Sequence, residues 1–238
     1  MSRLVLAAAL LGAALAPPAR AADPADRSEG GTGSVELRVG NYRPSIDAEP
    51  GLKGSPLPYQ RAFGGGRPTS FKLHMAKALP WRAAGAIELG AGVGYWTAKG
   101  HGSLLSGDPS TDPTTFSIVP LEVTATWRLD LVWERLGVPL VPYARASLQR
   151  YNWWITGSSG STSKSGATNG YGYGGGLALV LDFLDPTLAR ELQADSGIRH
   201  TMLTVDLQQT KVDDFGSKTS FDLSDTKATL SLGLLFVF

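Results

Sequence analysis

Residues 117–130 read Ser-Ile-Val-Pro-Leu-Glu-Val-Thr-Ala-Thr-Trp-Arg-Leu-Asp, and their two parities differ in kind. Val119, Leu121, Val123, Ala125, Trp127 and Leu129 are apolar, whereas Glu122, Thr124, Thr126 and Arg128 are polar or charged. Successive side chains of an extended strand point to opposite faces, so a period of two predicts a β-strand with one apolar and one polar face. The run is also long. Strands of soluble sheets mostly span about 5–6 residues, while a strand crossing a bilayer at about 45° needs roughly 9–11.

Seven further runs share this period: 34–42, 69–79, 86–98, 140–154, 171–184, 198–210 and 227–238. The segments after odd-numbered runs are long and polar (43–68, 99–116, 155–170, 211–219), and those after even-numbered runs are shorter or ordered (80–85, 131–139, 185–197). Short turns at one end and long loops at the other predict an all-β fold, an eight-stranded antiparallel up-and-down transmembrane β-barrel over residues 34–238, with both chain ends on the periplasmic side. Closure is required because an open edge would leave backbone N–H and C=O groups unpaired in hydrocarbon. Residues 185–196 predict a short periplasmic helix that plugs or braces the barrel end: Asp185 is the N-cap, Pro186 follows at N1, and Gly197 stands at the C-terminal cap.

Eight strands enclose a lumen just wide enough for side chains to fill. The inward parity carries Glu36, Glu88, Glu122, Asp182 and Asp206 together with Arg38, Lys72, Arg128, Arg145 and Lys227. Five acids against five bases predict a filled polar lumen held by a structural ionic network, because an unpaired charge in a dry interior is costly. Aromatic residues near strand ends predict girdles at the two headgroup levels: Trp81, Trp133, Phe183 and Phe238 at the turn end, and Tyr95, Trp96, Trp153, Trp154 and Tyr171 at the loop end. The 43–68 loop, rich in Pro and aromatics, predicts an ordered segment over the barrel mouth. The Ser/Gly-rich stretch 157–170 predicts a mobile one.

Of the 238 residues only 18% are charged, below the usual quarter, and mean hydropathy is −0.04. No Cys is present, which excludes a disulfide framework or a thiolate metal site, and a net charge of +1 argues against nucleic acid as a partner. The N-terminus has Arg3, an apolar run from Leu4 to Ala16, and Ala19-Arg20-Ala21. That pattern predicts a signal peptide over 1–21, cleaved after Ala21, followed by a flexible periplasmic tail over 22–33. Cleavage removes two of the 22 basic residues and leaves 20 against 21 acidic ones.

The closing residues Leu230-Ser231-Leu232-Gly233-Leu234-Leu235-Phe236-Val237-Phe238 resemble the C-terminal signal of bacterial barrels, with Leu232, Leu234, Phe236 and Phe238 as its alternating apolar positions. The chain resembles the small OmpA-like outer-membrane barrels. Segments such as 41–47, 127–130, 138–143 and 181–186 are similar to an uncharacterised outer-membrane barrel family of myxobacteria-like Gram-negatives. The resemblance implies residence in the outer membrane, contact with its lipids and lipopolysaccharide, and the barrel-assembly machinery as a partner during biogenesis. It carries over no activity and no cofactor.

A structural or surface-interaction role fits the sequence best, with an unknown ligand for the loops. Two alternatives stand beside it: a porin-like passage for small or hydrophobic solutes, and a lipid A-modifying enzyme of similar size and strand number. The enzyme reading rests on His101 with Ser103 or Ser106, without an orienting acid assigned to the pair. His74, His101 and His200 fit no metal spacing. Gly64–Gly66 and Gly172–Gly176 do not match a phosphate-binding loop. A soluble lipocalin-like barrel would have to turn the apolar parity inward.

Overall fold

The computed structural model describes residues 32–49, 57–80, 85–103, 109–157, 162–217 and 220–238. Eight strands, β1 (Gly33–Asn41), β2 (Thr69–Ala78), β3 (Ala86–Ser103), β4 (Pro109–Arg128), β5 (Leu140–Thr156), β6 (Thr162–Val180), β7 (His200–Lys211) and β8 (Thr229–Val237), pair antiparallel in sequence order. β1 pairs with β8, which closes the barrel. Phe238 N–H donates to Gly33 O at 2.9 Å, and Ala78 N–H donates to Thr32 O at 2.9 Å, so the wall begins two residues before Ser34. The segments expected to be a signal peptide (1–21) and, nearly all of it, a tail (22–33) lie outside the described residues.

Burial follows the two parities all the way round. Leu37, Phe71, Met75, Val123, Leu148 and Leu207 are exposed on the outside, while Glu36, Arg38, His74, Glu122 and Thr124 are buried inside. This polarity is the reverse of a soluble barrel, and a continuous apolar belt of this extent belongs in hydrocarbon. The lipocalin-like alternative fails on that point.

Strand lengths correct the sequence reading at one end. Residues 99–116 and 155–170 were expected to be loops, yet most of them are ladder: Lys99 pairs with Thr115, Gly100 with Thr114, Ile155 with Lys164 and Trp154 with Ser165. Beyond the belt neither face meets lipid, so alternation is no longer required, while Thr and Ser keep the extended backbone. The predicted mobile stretch 157–170 is therefore mostly strand, and the connections shrink to 104–108 and 157–161. At the opposite end the connections span 79–85, 129–139 and 181–199, so loop length does not sort the two ends as expected.

Among the described residues three short α-helices sit in the connections, α1 (Pro58–Phe63), α2 (Leu131–Leu136) and α3 (Pro186–Ser196), together with a single 3-10 turn at Ile46–Ala48. α3 begins as its sequence demands. The Asp185 carboxylate accepts from the N–H groups of Thr187 (3.1 Å) and Leu188 (3.0 Å), and Gly197 ends the helix at φ 70°. None of its residues is buried.

Candidate functional site: a lumen in three layers

The middle layer is ionic. Arg38 on β1 reaches across the lumen to Glu122 on β4 (2.8 Å) and to Asp206 on β7 (3.5 Å). Glu36, two residues earlier on the same parity, takes Arg145 of β5 at 2.6 Å and the Thr204 hydroxyl of β7 at 2.9 Å. Lys72 of β2 holds the other oxygen of Glu122 at 3.0 Å. Nearer the turn end, Arg128 bridges Glu88 at 3.0 Å and Asp130 at 3.0 Å, and the Ser34 hydroxyl donates to Glu88 at 2.9 Å. His74 contacts the Thr124 hydroxyl beside this network.

Long charged side chains fit because the facing strands contribute glycine. A Cβ at Gly92 would lie 2.9 Å from Glu122 Cγ, and one at Gly233 would lie 2.8 Å from Arg38 Cγ. The charges come mainly from β1, β2, β4, β5 and β7, while the inward glycines cluster on β3 and β6. Two cavities border the network, of about 20 and about 10 Å³. Each has room for about one water and no larger solute.

Eight of the ten charges expected in the lumen meet there: Glu36, Arg38, Lys72, Glu88, Glu122, Arg128, Arg145 and Asp206. Two do not. β6 ends at Val180, so Asp182 sits on the turn-end rim, where it contacts His200 Nδ1 at 2.6 Å and accepts from Thr201 N–H at 3.0 Å. Lys227 precedes β8 and is exposed at the loop end. Parity has meaning only inside a strand, and both residues lie beyond a strand's end.

Above the ions lies an aromatic layer. Tyr42, Trp96, Phe116 and Tyr151 are buried together, with Tyr42 edge-on to Trp96 at 5.3 Å and Trp96 edge-on to Phe116 at 5.7 Å. Trp96 Nε1 donates to Tyr42 O at 3.1 Å, and the Tyr42 hydroxyl donates to Leu223 O. Trp153 packs here against Phe221 at 4.7 Å. Trp96 and Trp153 are therefore not girdle residues, because they share the inward parity with Glu88 and Arg145. Tyr95 and Tyr171 do face outward, and Trp81 lies outside the described residues.

The 43–68 loop lies over this layer in its described parts. The Asp47 carboxylate holds it, accepting from Tyr59 N–H (2.7 Å), Gln60 N–H (3.1 Å) and Arg43 Nη2 (3.0 Å). Tyr59 and Phe63 of α1 then pack on the aromatic layer, and burial pushes the Tyr59 hydroxyl up to about 12. A second clasp joins Arg67 Nη2 to both Asp225 oxygens, at 2.8 and 2.9 Å. Burial raises the Asp225 carboxyl above its ordinary range, against the pull of Thr229 and Arg67.

Below the ions the lumen turns apolar. Val141, Ala178, Val180, Met202, Leu235 and Val237 point inward, and Trp133 of α2 closes them off, with Phe183 packed against the cluster. The expectation of a lumen polar throughout is thus corrected, since only its middle is ionic. The plug at this end is Trp133 and Phe183, while α3, expected to supply it, lies aside.

On β8, Leu232 and Leu234 stand on the outward parity opposite Val39 and Leu37, Phe236 stands opposite Val35, and Phe238 follows just past the strand. The three histidines occupy three levels: His101 on the exposed β3–β4 hairpin, His74 in the lumen and His200 at the turn end. Ser106 lies outside the described residues. Among the described residues no three His, Asp or Glu side chains form a group able to hold a metal.

No family model matches the chain, and no curated protein does. Among solved structures the chain is similar to Ail, the attachment invasion locus protein of Yersinia pestis, at 13% identity and TM-score 0.43, over 88% of this chain and 100% of that one. Neisserial surface protein A is similar at 14% identity and TM-score 0.44, over 88% and 98%. The outer membrane enzyme PagL is similar at 12% identity and TM-score 0.40, over 85% and 97%.

Proposed function

We propose that the chain is an exported, integral outer-membrane barrel of a Gram-negative envelope, closed to solutes, whose work is done on its outward surfaces and not by catalysis. The observation that carries this reading is the ionic layer sealed between an aromatic and an aliphatic layer. A conducting lumen would need continuous water, and the cavities beside the network hold about 20 and about 10 Å³. Lipid covers the apolar belt, and the lipopolysaccharide leaflet meets the loop end. The outward apolar positions of β8, with Phe238, are what the assembly machinery reads during insertion.

The loop end offers one contact point built under strain. Asp214 and Phe215 both take left-handed backbone conformations (φ 54° and 56°), and Phe215 is left 66% exposed. A bulky residue adopts that conformation only where the surroundings impose it, and such strain gathers at functional positions. Phe215 is thus the anchor we assign to a surface ligand.

Planar-bilayer recording tests the closed lumen. Reconstituted protein is expected to give no steady conductance, and a stable open level would refute the sealed stack. Membrane residence is checked on unheated gels, where the folded barrel is expected to migrate apart from the boiled chain. Identical migration, with recovery in the soluble fraction, would refute it.

A further inference from the structure

We propose that α3 is an interfacial helix, bedded in the headgroup and upper acyl region of the membrane leaflet at the turn end, with a lipid acyl chain lying between it and the barrel wall. The proposal rests on the reading that the barrel spans a membrane. Its starting point is that α3 does not sit under the lumen. Trp133 and Phe183 already close that end, and α3 buries nothing against them.

α3 lies instead beside the base of β6 and β7, on their outer face. A groove of about 230 Å³ runs there, lined mainly by Leu181, Leu184, Leu188, Leu192 and Thr201; Asp182 and Asp185 also border it, with their carboxylates already engaged by His200 and Thr201 and by the first turn of α3. Thr201 belongs to the outward parity of β7, next in line after Leu203, and Leu181, one residue past β6, donates its N–H to Thr201 O at 2.8 Å, so the groove continues the apolar belt at its lower margin. Leu188 and Leu192 stand one turn apart on the same face of α3, and Leu184, just ahead of the N-cap, borders the same groove. Leu184 is 67% exposed and Leu188 50% exposed, although burial in a soluble setting would favour covering both.

The other side of the helix, with Arg190 and Gln193, is polar and exposed. A short helix with a leucine stripe toward hydrocarbon and a polar back toward water meets the physical requirements for lying in a bilayer interface. The occupant follows from position, because what surrounds the outer wall at this level is lipid, and a largely apolar groove continuous with the belt takes an acyl chain.

The chain contains no Cys, so a single introduced thiol labels one site. Nitroxides at Leu188→Cys, with Leu184→Cys as a second variant, would be read in proteoliposomes by collision with oxygen, which partitions into lipid, and with a nickel chelate, which stays in water. A Gln193→Cys label reports the polar back, and Leu148→Cys, in mid-belt, reports whether the wall itself is in lipid. The expected result is an oxygen-to-nickel ratio severalfold higher at 184 and 188 than at 193. Equal, water-like ratios at 184, 188 and 193 would overturn the proposal, and so would silence toward both reagents at 184 and 188, which would mean that protein covers the stripe. A water-like Leu148→Cys label would instead overturn the membrane reading beneath it.

Discussion

Glu36 has no exposed surface, and two guanidinium groups and a hydroxyl converge on it. Removing one member of such a buried set strands the others, at a typical cost of about 3–5 kcal/mol. Glu36→Leu is therefore expected to lower the urea-unfolding free energy in vesicles by about that amount, and Lys72→Met by clearly less, since Lys72 is less tightly enclosed and borders the larger of the two small cavities. At Phe215 the direction reverses: Phe215→Asn suits the left-handed backbone and is expected to stabilise the fold by about 1 kcal/mol, while weakening any adhesion the loop end supports.

Asp225 adds a pH effect. Because its carboxyl is raised, the folded chain binds this proton more tightly than the unfolded one. Its contribution is then greatest in acid and falls as pH rises from the ordinary value of 3.8 through the raised one. The stability of Asp225→Asn relative to wild type is expected to climb over that interval; a flat difference would show that the Arg67 pair cancels burial, and a falling one that it outweighs it. At this scale the sequence was legible wherever parity applied. Eight of the charges on the inward parity meet in the lumen, whereas Asp182 and Lys227 lie beyond strand ends, because nothing in a run of residues marks where its last ladder bond falls.

At the scale of elements, the eight strands could be read because each must show lipid one face and the lumen the other. That constraint lapses above the belt, which is why β3–β4 and β5–β6 look like loops in sequence while they continue as ladders. Hydrogen exchange should separate the two readings. Amides of residues 164–170 facing β5 are expected to exchange slowly, like those of 171–178, and protection at the level of free peptide would remove the extended hairpin. The buried aromatics are a different kind of miss. Trp96 and Trp153 were assigned by their nearness to strand ends, although their parity, shared with Glu88 and Arg145, already pointed inward. The aliphatic floor was hidden for a plainer reason: Leu235 and Val237 are as apolar as the outward Leu234 and Phe236, so near the turn end the two faces of β8 read alike.

For the molecule as a whole, the closed topology and the polar interior were legible, whereas the sealing of that interior was not. Sealing needs segments from distant parts of the chain: α1 and Phe221 at one end, and Trp133 with Phe183 at the other. The ion pairs have the same character, and this bears on the order of events during insertion. Glu36 and Arg38 approach each other at 3.5 Å within β1, but their shortest contacts lie on β5 and β4, and Lys72 of β2 has its partner on β4, so an isolated β1–β2 hairpin leaves its charges only partly paired. A half-assembled sheet would carry them incompletely paired into hydrocarbon, at a cost that only the closed barrel removes. Entry into the membrane and meeting of the two edge strands are thereby tied into one late step, which makes these inward charges a timing device that keeps an unfinished wall out of the bilayer.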